Sequence, residues 1–305
     1  MAFAQTAERS SCRRGLRRFQ MQRCAWIVKE KKRTSMLFNE QKEFDKGGKS
    51  MFRSIKELLG YQIMAKDGQI GKVEDLFFSD ESWIVRYLVA DTGPWIFGRK
   101  VLVSMQALGQ PVWASQTFPV ELTREQVENS PDADLAKPVS RQYEEKLFEH
   151  YRWQSYWAMS NVVPGRSFFI PPNLFRDPNE PVEENDLETH LRSTRELLEY
   201  RVVATDGEAG SVKDFIIDDE GWQLKYMVVD VGDALELENE KMILVALEWI
   251  KFIRIADKEI LIDLNREAIK FSPPFDPNLA VNRQYEEVLY DYHGRPKYWQ
   301  VVDRV

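Results

Sequence analysis

The chain repeats itself. Residues 54–93 and 193–232 align at an offset of 139 with 18 identities in 40 positions. Two further motifs recur at the ends of the units: Arg141-Gln-Tyr-Glu-Glu145 returns as Arg283-Gln-Tyr-Glu-Glu287, and Tyr156-Trp157 returns as Tyr298-Trp299. Self-similarity at a fixed distance indicates a tandem duplication. The fold is therefore restricted to one unit that is small enough to be built twice.

Local signals predict the same order of elements in both units. Ser54-x-x-Glu57 and Ser193-x-x-Glu196 are capping boxes that predict a short opening helix. Asp67-Gly68 and Asp206-Gly207 predict tight hairpin turns, because glycine accepts a positive φ without steric cost. The patterns place strands at 71–79, 83–91, 100–104, 111–114 and 117–122, and again at 210–218, 222–230, 241–246, 250–255 and 259–264.

Helices punctuate and close each unit. Thr123-Arg-Glu-Gln and Asn265-Arg-Glu-Ala predict short capped helices, and 140–150 and 282–291 predict amphipathic closing helices. Several short strands at close spacing are typical of a small closed barrel. The predicted fold class is mainly β: two small β-barrels in tandem, each with short flanking α-helices.

The predicted organisation has four parts. A basic extension over 1–50 is disordered or non-native, with the natural start predicted at Met51. Units at 51–157 and 191–305 flank a linker over 158–190 that holds five of the 14 prolines and many acids.

Charge and composition exclude several functions. The first 50 residues hold 13 Lys and Arg against 5 Asp and Glu, so the rest of the chain carries a formal charge of −15. An acidic chain is a poor generic nucleic-acid binder. Two cysteines and three histidines argue against a Cys/His metal cluster. Since no apolar run reaches the length of a spanning helix, we expect a cytoplasmic protein.

The motifs resemble those of the PRC-barrel family. They are Asp-Gly-x-x-Gly at 67–71 and 206–210, Val73-Glu-Asp-Leu and Val212-Lys-Asp-Phe, Tyr-x-Val-x-Asp-x-Gly at 87–93 and 226–232, and Gly-Arg-Lys-Val-Leu-Val at 98–103. The resemblance covers 54–122 and 193–264. It implies a fold used by the cytoplasmic domain of the photosynthetic reaction centre H subunit and by the C-terminal domain of a ribosome-maturation factor. We expect neither role to carry over, because no stretch of the sequence resembles the membrane helix of the former or the N-terminal domain of the latter.

Two pairs of aspartates shared by the repeats are the candidates for a chemical role, and each pair has two interpretations. Asp75/Asp214 and Asp91/Asp230 recur in both units, either as acids or metal ligands or as hydrogen-bond acceptors for loop backbone at barrel corners. We favour the second interpretation. No histidine is shared by the two units, which argues against a catalytic or ligand role for any of them. We therefore predict no catalytic, cofactor-binding or metal-binding residues, no cofactor, and no enzyme.

Aromatic side chains supply the candidate partner-binding residues, since Tyr and Trp bring large contact areas at low entropic cost. The candidates are Trp95, Phe97 and Arg99 in the 94–99 loop, and Trp153, Trp157, Tyr298 and Trp299 in the tails. In the second unit, 233–240 is acidic and lacks the aromatics of that loop. Two other interpretations stay open: tails that pack on their own or the sister barrel, and a loop with one buried Trp.

The sequence thus predicts a non-enzymatic interaction or adaptor module, an internal pseudo-dimer that docks a protein partner through loop and tail aromatics. Assembly of several copies into a homo-oligomer stays open. One alternative is a ribosome- or RNA-processing-associated factor that binds a basic ribosomal protein. Another is a small-ligand binder or enzyme with its site in the cleft between the barrels.

Overall fold

The computed structural model describes residues 52–131 except 81 and 97, residues 139–153, and residues 189–303 except 238. The predicted extension over 1–50 and nearly all of the predicted linker over 158–190 lie outside the described residues. No helix within those ranges combines the length and apolar character that crossing a membrane requires.

The two repeats have matching elements. The first contains β1 (Phe52–Ser54), α1 (Ile55–Leu58), β2 (Gln62–Ala65), β3 (Gly68–Ser79), β4 (Val85–Asp91), β5 (Lys100–Ser104), β6 (Thr117–Pro119), α2 (Arg124–Glu128), β7 (Val139–Ser140) and α3 (Arg141–Tyr151). The second contains β8 (Thr189–Ser193), β9 (Arg201–Ala204), β10 (Gly207–Asp218), β11 (Gln223–Asp230), β12 (Met242–Ala246), β13 (Ile250–Arg254), β14 (Glu259–Ile262), α4 (Arg266–Lys270) and α5 (Arg283–His293).

Each repeat builds one strongly bent sheet. The strand order is β5-β4-β3-β2-β6 in the first repeat and β12-β11-β10-β9-β14-β13 in the second. Neighbouring strands are antiparallel except for the β2–β6 and β9–β14 pairs, which are parallel. The mainly β prediction is confirmed, with 14 strands in two sheets and five α-helices in the described parts of the chain.

Two local predictions are wrong. The predicted strand over 111–114 is replaced by a single 3₁₀ turn, Trp113–Ser115, beside an isolated bridge between Val112 and Thr117. Pro111 has no N–H to donate to a ladder, so the strand pairing is interrupted there. The second opening helix is a series of turns after Ser193, although the Ser193 hydroxyl still accepts the Glu196 N–H at 3.1 Å.

The Asp-Gly-x-x-Gly motif has a structural explanation. Asp67 and Asp206 accept the first N–H groups of α2 and α4, from Arg124 at 2.8 Å and Arg266 at 2.7 Å. The last glycine of the motif lies against the neighbouring strand, and a Cβ there would collide with the carbonyl oxygen of Asp91 or Asp230. The motif therefore specifies a turn, a helix start and a close strand approach.

The repeats exchange strands. The strand β1, at the start of the first repeat, pairs with β10 of the second, with Arg53 opposite Ile217. The strand β8, at the start of the second repeat, pairs with β3 of the first, with Arg192 opposite Phe78. Each sheet therefore contains a strand that the other repeat supplies.

This exchange predicts that the halves depend on each other. Residues 51–157 and 191–305, produced as separate chains, each lose the strand donated by the other half. We expect the two halves to bind each other when they are mixed and to gain β-structure on binding. Copurification of one tagged half with the other, followed by circular dichroism, checks this. Two halves that fold as stable monomers and ignore each other would contradict the exchange.

Candidate interaction surfaces

Asp75 and Asp214 hold the start of the opposite repeat. Asp75 accepts hydrogen bonds from the hydroxyls of Ser193 at 2.5 Å and Thr194 at 2.8 Å, and from the backbone N–H of Arg195 at 3.2 Å. These partners lie about 120 positions away, with separations of 118 to 120 residues. The carboxylate is an N-terminal cap supplied by the other repeat.

Asp214 of the second repeat makes the equivalent contact with the start of the first repeat. Asp214 accepts a short hydrogen bond from the hydroxyl of Ser54 and a longer one, at 3.3 Å, from the backbone N–H of Lys56. Each aspartate also accepts the N–H of its own next residue, Leu76 or Phe215. Both side chains are thereby filled with backbone and hydroxyl donors, which bears out the interpretation as hydrogen-bond acceptors for this pair.

Burial changes the acidity of these two groups. Loss of solvent raises the pKa of Asp75 and of Asp214 above the usual value of 3.8, and the hydroxyl and N–H donors offset part of that rise. The two carboxyl groups therefore bind protons more readily in the folded protein than in the unfolded chain.

Ion pairs and a bridge complete the contact between repeats. Arg53 pairs with Asp219 at 2.8 Å, and Arg192 lies 3.6 Å from Asp80 in the equivalent position. At the centre, Ile84 forms an antiparallel bridge with Gln223. The N–H of Val85 donates to the Trp222 carbonyl and the N–H of Leu224 donates to the Trp83 carbonyl, at 2.8 and 2.9 Å.

The other shared carboxylates also bind backbone. Asp91 accepts the N–H of Gly93 at 2.9 Å, and Asp230 accepts the N–H of Gly232 at 3.1 Å. Within the described ranges, no three His, Cys, Asp or Glu side chains gather closely enough to hold a metal ion. The four shared aspartates are thus engaged in holding loops and the starts of the opening segments.

The Arg-Gln-Tyr-Glu-Glu motif supplies two buried glutamates that sequence reasoning did not single out. The Tyr87 hydroxyl donates to Glu144 at 2.9 Å, and the Tyr226 hydroxyl donates to Glu286 at 2.6 Å. The motif arginine pairs with the same glutamate in both repeats, at 3.3 and 2.9 Å. Both motifs recur in the two repeats, and that recurrence was the sequence signal that could have identified these glutamates. The tyrosine–glutamate hydrogen bond fixes the closing helix of each repeat to its own sheet.

The second repeat contains a small recess beside that contact. It is lined in part by Lys225, Glu248, Tyr290 and Tyr298, and its volume of about 10 Å³ is close to that of one water molecule. Lys225 is only 6% exposed, and its ammonium group donates to Gln223 at 2.5 Å. Burial raises the pKa of Glu248. The recess lies away from Asp75 and Asp214 and is too small for a metabolite.

The 94–99 loop of the first repeat has a fixed base. The Thr92 hydroxyl donates to the Arg99 carbonyl at 2.6 Å, and the Gly98 N–H donates to the Gly93 carbonyl at 2.7 Å. The Arg99 guanidinium donates to the Glu128 carbonyl at 3.1 Å and to the Ser130 hydroxyl at 3.0 Å. Arg99 therefore anchors the loop to the end of α2, while the side chain of Trp95 and the whole of Phe97 lie outside the described residues.

The tail aromatics that the structure describes pack on their own repeats. Trp153 stacks on Tyr151 with ring centroids 4.2 Å apart. The Tyr298 hydroxyl donates to Glu286 at 2.8 Å, and the Trp299 ring meets Tyr290 at 5.2 Å. Trp153, Tyr298 and Trp299 are each partly buried, and Trp157 lies outside the described residues. The structure thus favours the interpretation in which these tails pack on their own barrels.

Three large apolar side chains that the sequence did not single out are exposed: Val112 at 49%, Phe271 at 42% and Leu279 at 40%. Phe271 follows α4 and Leu279 precedes α5, whereas Val112 lies in the interrupted strand of the first repeat. Single exposed apolar residues are normal on a protein surface. No local pattern distinguished them from core positions.

The hydrogen bonds that Asp75 accepts predict that Asp75→Ala strongly destabilises the fold. This change leaves four buried or half-buried donors without their acceptor, so we expect the free energy of unfolding to fall by about 2–4 kcal/mol. Urea denaturation checks this. Asp67→Ala is the matched control, because its carboxylate binds a single exposed N–H, and we expect a loss of about 1 kcal/mol. Equal losses in the free energy of unfolding for the two variants would contradict this role of Asp75.

The raised pKa values predict the sign of a pH effect. A carboxyl group whose folded pKa is raised stabilises the fold more as pH falls through that pKa, down to the ordinary value of 3.8. Asn at both positions removes this titration. The stability of the natural protein relative to Asp75→Asn/Asp214→Asn should therefore rise from neutral pH towards pH 4. Chemical denaturation across that range measures the difference, and a relative stability that falls on acidification contradicts the assignment.

The comparisons with known proteins agree with this architecture. The PRC-barrel domain model matches residues 51–115 and, separately, residues 191–269. No curated protein matches the chain significantly. The two matched regions contain β1 to β5 of the first repeat and, in the second, the last three residues of β8 and all of β9 to β14. The chain therefore carries two PRC-barrel domains in tandem.

Proposed function

We propose that the chain is a non-enzymatic protein-interaction module that docks a partner through the 94–99 loop of its first repeat. The observation that carries the proposal is the use of the shared aspartates. Asp75 and Asp214, the carboxylates that an active site between the barrels would require, cap the opposite repeat's opening segment. The contact between the barrels serves to hold the two repeats together. We therefore place partner binding on the outer loops.

The 94–99 loop suits docking because its base is rigid. Five hydrogen bonds given above tie Asp91, Thr92, Gly93, Gly98 and Arg99 to one another or to the end of α2. A preorganised loop loses little conformational entropy when it binds. Trp95 and Phe97 belong to the residue classes that supply binding hot spots.

The equivalent loop of the second repeat is built differently. Leu235 is 6% exposed and packs into the core, and the Ala234 carbonyl accepts a hydrogen bond from Arg266 at 2.8 Å. Asp233 and Glu236 are exposed there. The two ends of the molecule thus differ, which favours one docking face over two equivalent ones.

Surface charge favours a basic partner. The chain after residue 50 carries a formal charge of −15, and an acidic surface accelerates association with basic surfaces through long-range attraction. A basic ribosomal protein is one member of that class, which keeps the ribosome-associated alternative within the same proposal. Measuring partner binding at increasing salt separates the electrostatic contribution to affinity from the apolar one, because apolar contacts with the loop persist when charges are screened.

The test is capture of partners from the native organism by residues 51–305, followed by binding assays with the partner identified. Trp95→Ala/Phe97→Ala should weaken binding by about tenfold or more, since each hot-spot side chain contributes more than about 1 kcal/mol. Circular dichroism and the melting temperature should stay unchanged, because the base of the loop is retained.

The matched control is Asp233→Ala/Glu236→Ala, which changes two exposed residues in the equivalent loop of the second repeat. This control should bind the partner with nearly natural affinity in high salt. A partner that binds the Trp95→Ala/Phe97→Ala variant and the natural protein equally would overturn docking through this loop.

A further inference from the structure

The contact between the repeats is self-complementary. The ion pairs and the serine–aspartate hydrogen bonds recur when the repeats are interchanged: Arg53–Asp219 becomes Arg192–Asp80, and Ser54–Asp214 becomes Ser193–Asp75. The strand registers obey the same rule, because Arg53 opposite Ile217 becomes Arg192 opposite Phe78. An interface with this property is isologous, the kind that joins two identical subunits about a two-fold axis.

Each repeat therefore contains both sides of the contact. The first repeat supplies Arg53 and Ser54 on its opening segment and Asp75 and Asp80 as acceptors. The second supplies Arg192, Ser193, Asp214 and Asp219 in the equivalent places. A repeat of either kind is consequently complementary to another copy of itself.

The centre of the contact identifies the axis. Ile84 and Gln223 are equivalent residues, separated by the repeat offset of 139, and they face each other directly in the bridge. Two equivalent residues that face each other lie on the pseudo-two-fold axis. In a pairing of two first repeats, Ile84 would face Ile84 of the second copy, and in a pairing of two second repeats Gln223 would face Gln223.

We infer that two copies of this chain form an exchanged dimer in which like repeats pair, first with first and second with second. This goes beyond the proposed docking function and uses a different surface. The dimer keeps the Arg–Asp pairs, the Ser–Asp hydrogen bonds and the exchanged strands of two separate chains. It also replaces two Ile–Gln pairings with one apolar Ile–Ile pair and one amide Gln–Gln pair.

Concentration then decides between the monomer and the dimer. Residues 154–188 join the repeats along the chain, so pairing within one chain competes with pairing between chains, and covalent linkage gives the two repeats an effective concentration of about 1 mM. The Arg–Asp and Ser–Asp contacts are equal in number in the two arrangements, so the exchanged dimer becomes populated only as the protein approaches that concentration. A single chain closed on itself predominates below it.

The test is disulfide trapping in the full chain, with Cys12→Ser and Cys24→Ser to remove the native thiols. Ile84→Cys alone forms a disulfide across the axis only when two first repeats pair. Facing residues of a non-hydrogen-bonded antiparallel pair have Cα atoms about 4.5 Å apart, which is within the range that a disulfide spans. The protein is refolded from urea in a thiol–disulfide buffer, at concentrations about a hundredfold below and about equal to 1 mM.

We expect the covalent dimer of Ile84→Cys to be scarce at the low concentration and to rise at least several-fold at the high one. Glu125→Cys, an exposed position on α2 away from the axis, is the matched control for random crosslinking. Ile84→Cys/Gln223→Cys should close within one chain at the low concentration, which verifies the geometry.

Two results would overturn the inference. One is an Ile84→Cys dimer that does not exceed the Glu125→Cys background at the high concentration while the double-cysteine variant closes normally. The other is failure of the double-cysteine variant to close at any concentration, because the exchanged dimer needs the same pairing across the axis.

Discussion

The reciprocal capping of each repeat by the other is the interaction on which this structure depends. Asp75 is a buried carboxylate and Asp214 a half-buried one, and both accept hydroxyl and backbone hydrogens from the opposite repeat's opening segment. A buried carboxylate without donors is costly, and donors at a segment start without an acceptor are costly too. Each cost is removed only when the repeats are together, so the two sheets form one cooperative unit.

Duplication gave the two repeats the same interior and different exteriors. The tyrosine–glutamate contacts between Tyr87 and Glu144 and between Tyr226 and Glu286 fix the closing helices in the same way. The loops beyond Asp91 and Asp230 differ, one with Trp95 and Phe97 and the other acidic with a buried leucine. Residues at the contact between the repeats must fit both repeats. Residues of an outer loop do not have to fit the other repeat, so the two loops can differ.

Local structure was predicted well where the deciding contacts are near in sequence. The Asp-Gly turns, the long strands after them and the caps of α2 and α4 follow from neighbouring residues, and the structure contains all of them. The strand expected over 111–114 fails because Pro111 removes a ladder donor, although its apolar pattern favoured a strand. Among the candidate site residues, Arg99 anchors its loop and Trp153, Tyr298 and Trp299 pack inward, because aromatic content alone does not tell packing from docking.

The sequence by itself determined the repeat, the order of elements, the turns and the shared positions of the aspartates, since each rests on periodicity or on hydrogen bonds between near neighbours. Only the tertiary structure decided which repeat each aspartate serves. The Ser193 hydroxyl lies 118 residues from Asp75, and the Ser54 hydroxyl lies 160 residues from Asp214. A cap within a repeat and a cap between repeats use the same residue types, a serine and an aspartate, so no local pattern separates them. The exchanged strands separate them by placing each segment against the opposite sheet.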